Sequence, residues 1–188
     1  MLEPGAGVLF MKVGTHANEP LSDIIKRKRA EIDEVGFSLW GYGGNTCHPA
    51  TMVQPFAQAA LQQGRAIYLC MEPMDSSHFA ISERAAEYSV DAVKWKPVPA
   101  AINVIGSRYA LAINDLHVEE FELPLEDTKV AIGNSMGRPG DRYIKGRVDK
   151  ACLEVVDPDA VEHHEDARTG KIGLVAQLVD PYAVFVRN

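Results

Sequence analysis

The sequence lacks the signatures of several protein classes. None of its apolar runs approaches the roughly 18 residues of a membrane-spanning helix, and its first residues lack the basic start and apolar core of a signal peptide. Its three cysteines are widely spaced, without a C-x-x-C pair, which argues against a disulfide framework and a structural zinc site. We therefore expect a cytoplasmic protein that does not enter a membrane.

Phosphate-binding signatures are also missing. The chain contains neither G-x-G-x-x-G nor G-x-x-x-x-G-K-[ST], so neither a Rossmann dinucleotide fold nor a P-loop is predicted. Excess positive charge is lacking too, since 19 Lys and Arg stand against 26 Asp and Glu, a net charge of −7. This balance makes nucleic acid an unlikely partner. Residues 1–70 carry 6 charges of each sign, so the whole acidic excess follows residue 70.

What the chain does contain is typical of a globular domain. Of its 188 residues, 46% are hydrophobic and 24% are charged. The pattern predicts an α+β fold, with a β-α-β-α-β segment over residues 1–90 and a β-rich, mostly antiparallel half over residues 91–188. Short strands are predicted in that half at residues 92–95, 101–105, 109–113, 118–123, 129–132, 143–148, 151–156, 173–179 and 183–186. We expect one domain over residues 1–188.

The first three predicted strands cover residues 8–13, 37–40 and 66–71, with helices over residues 21–35 and about 51–63. Gly36 suits the end of the first helix, and Pro55 either kinks the second helix or begins it. Short β-α-β crossovers favour parallel strands, whose following loops lie at one edge of the sheet. Open α/β sheets bind ligands at this carboxyl edge.

The three loops at this edge are polar, and each contains one histidine: His16, His48 or His78. The glycine-rich second loop lets a backbone approach a ligand closely, and a helix starting near Thr46 would direct free N–H groups at an anion. We predict a site for a small anionic ligand, nucleotide-like or phosphorylated, with catalysis left open. Its ligand-binding residues are predicted to be Thr15, Tyr42, Gly43, Gly44, Asn45, Thr46 and Ser77, beside His16 and His78.

Cys47 supports an alternative prediction, a cysteine-dependent hydrolase or transferase. A thiol at a helix N-terminus has a lowered pKa and can act as a nucleophile, with His78 or His16 as its base. Cys70 and Cys152 are expected in the core. His16, His48 and His78 with Glu72 or Asp75 lack local metal-site spacing, so no metal site is predicted.

The run Lys26-Arg27-Lys28-Arg29 is the basic cluster of the chain. Four consecutive helical residues spread around the helix axis and cannot form one basic face. Arg27 and Arg29 each precede a carboxylate by four residues, Glu31 and Asp33 respectively, so we expect local ion pairs rather than a nucleic-acid contact.

Three segments resemble the pattern of ADP-ribosyltransferases: Gly14-Thr15 after the first strand, residues 64–69 (GRAIYL), and Ser76-Ser77. That family has a His-Gly-Thr strand end, a Gly-Ile-Tyr strand with a serine downstream, and a late glutamate. Here Val13 stands at the position of the NAD-holding histidine, and no late glutamate is singled out. The resemblance implies an NAD-dependent enzyme, whereas the residues by themselves identify no cofactor.

A further hypothesis is a non-catalytic interaction module. In this interpretation the acidic, β-rich second half presents a partner surface, for example in a homodimer.

Overall fold

A computed structural model describes residues 2–42, 50–78, 83–145 and 148–188. Within these ranges the chain forms the following helices and strands: β1 (Gly7–His16), α1 (Leu21–Val35), β2 (Ser38–Gly41), α2 (Ala50–Gln62), β3 (Ile67–His78), β4 (Glu87–Ser89), β5 (Lys96–Pro97), β6 (Tyr109–Pro124), β7 (Thr128–Val130), α3 (Gly140–Tyr143), β8 (Lys150–Val155) and β9 (Thr169–Arg187). Two 3₁₀ turns cover Leu125–Asp127 and Pro158–Ala160.

The strands form one mixed sheet, in the order β2-β6-β9-β3-β1-β8-β7, with the β4-β5 hairpin attached to β9. β1 and β3 are parallel neighbours, and the remaining pairs within the described residues are antiparallel. The predicted α+β class, with a β-rich C-terminal half, is confirmed. None of the described helices has the length and apolarity needed to cross a membrane.

The prediction that the first three strands run parallel in one sheet region is wrong for β2. β2 pairs antiparallel with β6 at one end of the sheet, and both β6 and β9 separate it from β3. The cause lies in β9, which pairs with β3 over Tyr68–Met71 and with β6 along most of its length. This late strand occupies the position beside β3 that a simple β-α-β crossover would give to β2.

Both faces of β1 are buried, which explains its nearly continuous apolar sequence. Leu9 and Val13 face the main core cluster, which includes Ile24 of α1 and Val53 of α2. The alternate residues Val8 and Phe10 face a second cluster on the other side of the sheet. Side chains alternate between the faces of a strand, so β1 needs apolar residues at successive positions.

The two long helices follow the sequence signals. α1 ends at Val35, and Gly36 follows with a φ of 84°, a left-handed conformation that glycine adopts at little cost. α2 runs through Pro55, so the helix does not begin at this proline. Cys70 and Cys152 are fully buried, as expected.

Candidate functional site

A cavity of about 840 Å³ lies where the ends of β1 and β2 meet the first half of α1 and the segment before β6. We call residues 98–108, which connect β5 to β6, the strap, and the space beside them the strap cavity. Volumes of this size are typical of small-molecule sites. The strap carries no helix or strand. Its position depends on its buried apolar side chains, such as Ile102, on main-chain hydrogen bonds such as that from Ala85 to Val104, and on charged side chains that bind its main chain.

Two predicted site residues, Thr15 and His16, line the strap cavity. They are register partners of Ser77 and His78, respectively, on the parallel strand β3. The ends of β1 and β3 therefore come together as predicted. Gly41 at the end of β2 also lines the cavity, although β2 does not pair with either strand.

The second loop lies outside the described residues. It contains five predicted site residues, Gly43, Gly44, Asn45, Thr46 and Cys47, and the neighbouring His48. Their roles in anion binding or nucleophilic catalysis remain predictions. Just before this loop, Tyr42 is fully buried in the main core cluster, and its main-chain N–H donates to the carbonyl of Tyr109 over 2.9 Å. Its ring packs in the core, and its role in ligand binding remains a prediction.

His16 connects β1 to the strap. Its Nε2 lies 3.0 Å from the main-chain oxygen of Ile105. This contact is a hydrogen bond when Nε2 carries the proton and donates it to that oxygen. Two main-chain hydrogen bonds join His16 and Glu19 across a tight turn, 3.1 Å and 2.9 Å long. Within this turn Ala17 and Asn18 have φ of 49° and 62°. The turn directs Glu19 back toward the first residues of α1.

Arg27 of α1 forms a two-pronged ion pair with Glu19. Its Nε lies 2.9 Å from Oε1, and its Nη2 bonds the other carboxylate oxygen. Hydrogen bonding by Arg27 lowers the pKa of the Glu19 carboxyl below its usual value. Nη1 of Arg27 donates in addition to Glu31 over 3.0 Å and to the carbonyl of Asn103 over 2.7 Å. One guanidinium therefore joins the β1 turn, α1 and the strap.

Lys28 lies next to this ion pair and is only 3% exposed. Its Nζ donates to Oε2 of Glu31 over 2.9 Å, to the carbonyl of Leu39 over 2.7 Å and to that of Asn103 over 2.8 Å. Burial lowers the pKa of Lys28 to about 8, and the Glu31 carboxylate opposes this shift. Because all three ammonium hydrogens have acceptors, Lys28 holds β2 and the strap to α1.

Glu31 is the carboxylate at the centre of this network, and it is also 3% exposed. Besides the bonds from Arg27 and Lys28, it accepts from the Ser38 hydroxyl and from the main-chain N–H of Asn103. Buried charges are retained when they are paired and hydrogen-bonded, and each Glu31 oxygen meets two donors. The network fixes the wall of the strap cavity.

No family model, curated protein or solved structure matches this chain.

Charge distinguishes the lining of the strap cavity. Among the described residues that line it, five are Lys or Arg and two are carboxylates: Lys12, Arg27, Lys28, Arg108 and Lys150, against Glu19 and Asp149. Nζ of Lys150 lies 3.1 Å from Oδ2 of Asp149, so these neighbouring side chains form an ion pair. Lys12 is half-buried on β1, and Arg108 is exposed at the end of the strap.

The basic run of α1 was only partly understood from sequence. The Arg27–Glu31 ion pair forms as predicted, but Arg29 donates to the carbonyl of Leu116 over 3.0 Å. Burial of Lys28 and Glu31 was missed. Their i,i+3 spacing on the helix was the available signal, but such pairs are usually exposed. Asn103 and Arg108 were missed because the strap has no sequence motif.

Close packing brings the strap against the end of β2. A Cβ atom on Gly41 would lie 2.6 Å from the Ser107 hydroxyl, closer than real Cβ atoms approach another atom. Glycine at the end of β2 therefore allows the strap to close one side of the cavity.

In the part of the chain that the structure describes, no three His, Cys, Asp or Glu residues are grouped so that they could hold a metal ion.

Proposed function

We propose that this protein binds a small anionic ligand, nucleotide-like or phosphorylated, in the strap cavity. The observation that carries the proposal is the cationic lining of this cavity in a chain whose net charge is −7. A concave surface of one sign concentrates ligands of the opposite sign. The position of the cavity at the end of β1 also supports the proposal, because the sequence pointed to this strand end.

The cations of the lining divide into two groups. Arg27 and Lys28 are bonded to Glu19 and Glu31, so they mainly maintain the wall of the cavity. We assign direct anion binding to Lys12 and Arg108. An ammonium or guanidinium group forms charge-assisted hydrogen bonds with phosphate, which are roughly twice as strong as bonds between neutral groups. In this proposal Thr15 adds a neutral hydroxyl donor.

Whether the protein also transforms its ligand is left open. A cysteine-dependent hydrolase or transferase depends on Cys47, which lies outside the described residues. An ADP-ribosyltransferase-like enzyme, a homodimer and a non-catalytic interaction module also remain hypotheses. None of these alternatives is favoured by a particular contact among the described residues, so anion binding is the function that we carry forward.

Isothermal titration calorimetry tests this proposal. The ligands are pyrophosphate, ADP, NAD and phenyl phosphate, each titrated at low salt into the wild type and into the Lys12→Gln and Arg108→Gln variants. Lys171→Gln is the matched control, because Lys171 is exposed on β9 and does not line the cavity. It removes the same net charge at a different place.

At least one of the four ligands is expected to bind the wild type. Its affinity should fall about tenfold or more in each cavity variant, as expected for loss of a hydrogen bond to a charged group, and should change less than about twofold in the control. Absence of binding by all four ligands would overturn the proposal. Equal losses in K171Q and the cavity variants would do the same, because only net charge would then matter.

A further inference from the structure

We propose that the ligand of the strap cavity is an amphiphilic anion, in which one compact phosphate-type group is joined to an apolar chain or ring. This inference rests on the proposed function and specifies the chemical class of the ligand. It stands on two observations: the Arg27 and Lys28 side chains and part of the strap's main chain are already bonded within the protein, and several of the remaining lining side chains are apolar.

Part of the strap's main chain is already bonded within the protein and is not available to a ligand. The N–H of Asn103 donates to Glu31, and its carbonyl accepts from Arg27 and Lys28. The carbonyl of Ile105 is bonded by His16. A ligand with many hydroxyl groups needs a partner for each of them, because a buried polar group without a partner costs free energy. Oδ1 of Asn103 is an exception, because it is buried without a hydrogen-bond partner among the described residues. The wall therefore suits a ligand with few hydroxyl groups better than a free sugar or a highly hydroxylated sugar phosphate.

Charged groups available to a ligand are also few. Nζ of Lys28 is fully occupied by three oxygens, and Arg27 is bonded to two carboxylates and a carbonyl. Lys150 is paired with Asp149, so Lys12 and Arg108 provide the direct charge contacts. Two cations match one phosphate-type group better than a chain of several phosphates.

Much of the remaining lining is apolar. It includes the following side chains from β1, α1, β2, β3, the strap and β6: Met11, Ile24, Trp40, Met74, Val104 and Tyr109. Met74 is 42% exposed although it carries a long apolar side chain, and Met11 and Tyr109 are half-buried. Methionine adapts its shape to irregular apolar partners. These partly exposed side chains beside cations complement a ligand with an apolar body and an anionic head.

The size of the cavity agrees with such a ligand. Its volume of about 840 Å³ falls in the range of roughly 300–1,000 Å³ that is typical of sites for drug-sized molecules. A bare phosphate ion would leave most of this space and all of the apolar wall in contact with water. An apolar body attached to the phosphate would cover that wall and gain binding free energy from its burial.

A chain-length series tests the inference. Methyl, butyl and hexyl phosphate carry the same head group, and their affinities for the wild type are measured by isothermal titration calorimetry. We expect the affinity to rise up to about fourfold for each added methylene that is buried. Hexanol is the neutral arm of the experiment, and it should bind at least about tenfold more weakly than hexyl phosphate.

Met74→Ser tests whether the cavity wall contacts the chain. The ratio of hexyl to methyl phosphate affinity should fall at least about threefold in this variant. Met136→Ser is the control, because Met136 is 70% exposed and does not line the cavity. This control should leave the ratio unchanged.

The outcomes separate the two proposals. If the three alkyl phosphates do not bind, and pyrophosphate, ADP, NAD and phenyl phosphate do not bind either, the proposed function itself fails. If methyl and hexyl phosphate bind equally well, anion binding stands and the amphiphilic ligand is wrong. An unchanged ratio in M74S, or hexanol binding as tightly as hexyl phosphate, would likewise overturn the amphiphilic assignment.

Discussion

The main-chain N–H of Asn103 donates a hydrogen bond to Oε1 of Glu31 over 3.0 Å, although 72 residues separate the two in sequence. The same carboxylate bonds Arg27 and Lys28 of α1 and Ser38 of β2. One buried anion thus joins α1, β2 and the strap. The shape of the strap cavity consequently depends on a group that serves in the wall rather than in direct ligand binding.

Replacement of Glu31 by alanine should strongly destabilise the fold. Loss of the carboxylate leaves the buried Lys28 ammonium without its counter-charge, and breaking a buried ion pair typically costs about 3–5 kcal/mol. Glu34→Ala is the control, because Glu34 is exposed on the same helix and should cost at most about 0.5 kcal/mol. Urea unfolding measures both values. Equal free energies of unfolding for E31A and E34A would contradict the structural role of Glu31.

Lys28 should titrate near pH 8, because burial lowers the pKa of this lysine from 10.5 to about 8. Between these two values the unfolded chain holds the proton that the folded protein has released. The free energy of unfolding therefore gains a contribution from Lys28 that increases with pH across this window. We expect the wild type to become more stable relative to Lys28→Met as the pH rises from 8 to 10.

Lysine side-chain NMR measures this titration directly. One resonance with a titration midpoint near pH 8 should be present in the wild type and missing in K28M. Lys26→Met is the control, because Lys26 is exposed, and it should keep this resonance. A wild-type spectrum in which every lysine titrates near 10.5 would show that Lys28 is not buried as described.

His117 should make stability depend on pH in the opposite direction. The main-chain oxygen of Asp115 and the carboxylate of Glu119 both bond its ring, and they raise the pKa of His117 above 6.5. Its contribution to stability is therefore complete below pH 6.5 and is lost as the pH rises through the folded-state pKa. Urea unfolding should show a larger cost of His117→Gln at pH 5.5 than at pH 8.5. The same cost at both values would refute these contacts.

Gly140→Ala should destabilise the protein by about 1–3 kcal/mol through overpacking. A Cβ atom here would lie 2.7 Å from the carbonyl oxygen of Leu125 and collide with the buried Thr128 hydroxyl. Gly137→Ala offers a comparison, since it meets no atom within 4 Å but has a φ of 85°. Thermal unfolding should show a smaller loss for G137A, of about 1 kcal/mol from backbone strain. A milder effect for G140A than for G137A would contradict the packing at Thr128.

Local sequence signals predicted much of the N-terminal half. The apolar run of β1, the helical spacing of α1 and the stop at Gly36 each depend on neighbouring residues, and each is confirmed. The partner of β2 could not be obtained in this way, because it depends on β9, more than 100 residues later. Strand pairing between distant segments leaves little trace in the local pattern.

The C-terminal half illustrates the same limit. The sequence predicted separate strands at 173–179 and 183–186, because Asp180-Pro181 interrupts the apolar pattern. The structure contains one continuous strand, β9, in which residues 179–182 bulge out between the pairs Leu111–Ala183 and Ile113–Leu178. The predicted strand over residues 101–105, inside the strap, is wrong: the structure has a turn closed by Ile102 and Pro99 and an isolated bridge between Ile105 and Arg84. Charged side chains from distant segments bind the main chain there.

The location of the bound anion decides whether the strap cavity is the binding site. Amide NMR spectra of the wild type are recorded during titration with phenyl phosphate, or with whichever phosphate binds most tightly. The largest shift changes are expected at Lys12, Thr15, His16 and Arg108, which line the strap cavity. Changes centred on Arg65 and His117, which line a second cavity of about 830 Å³, would contradict binding in the strap cavity, as would a titration without shift changes.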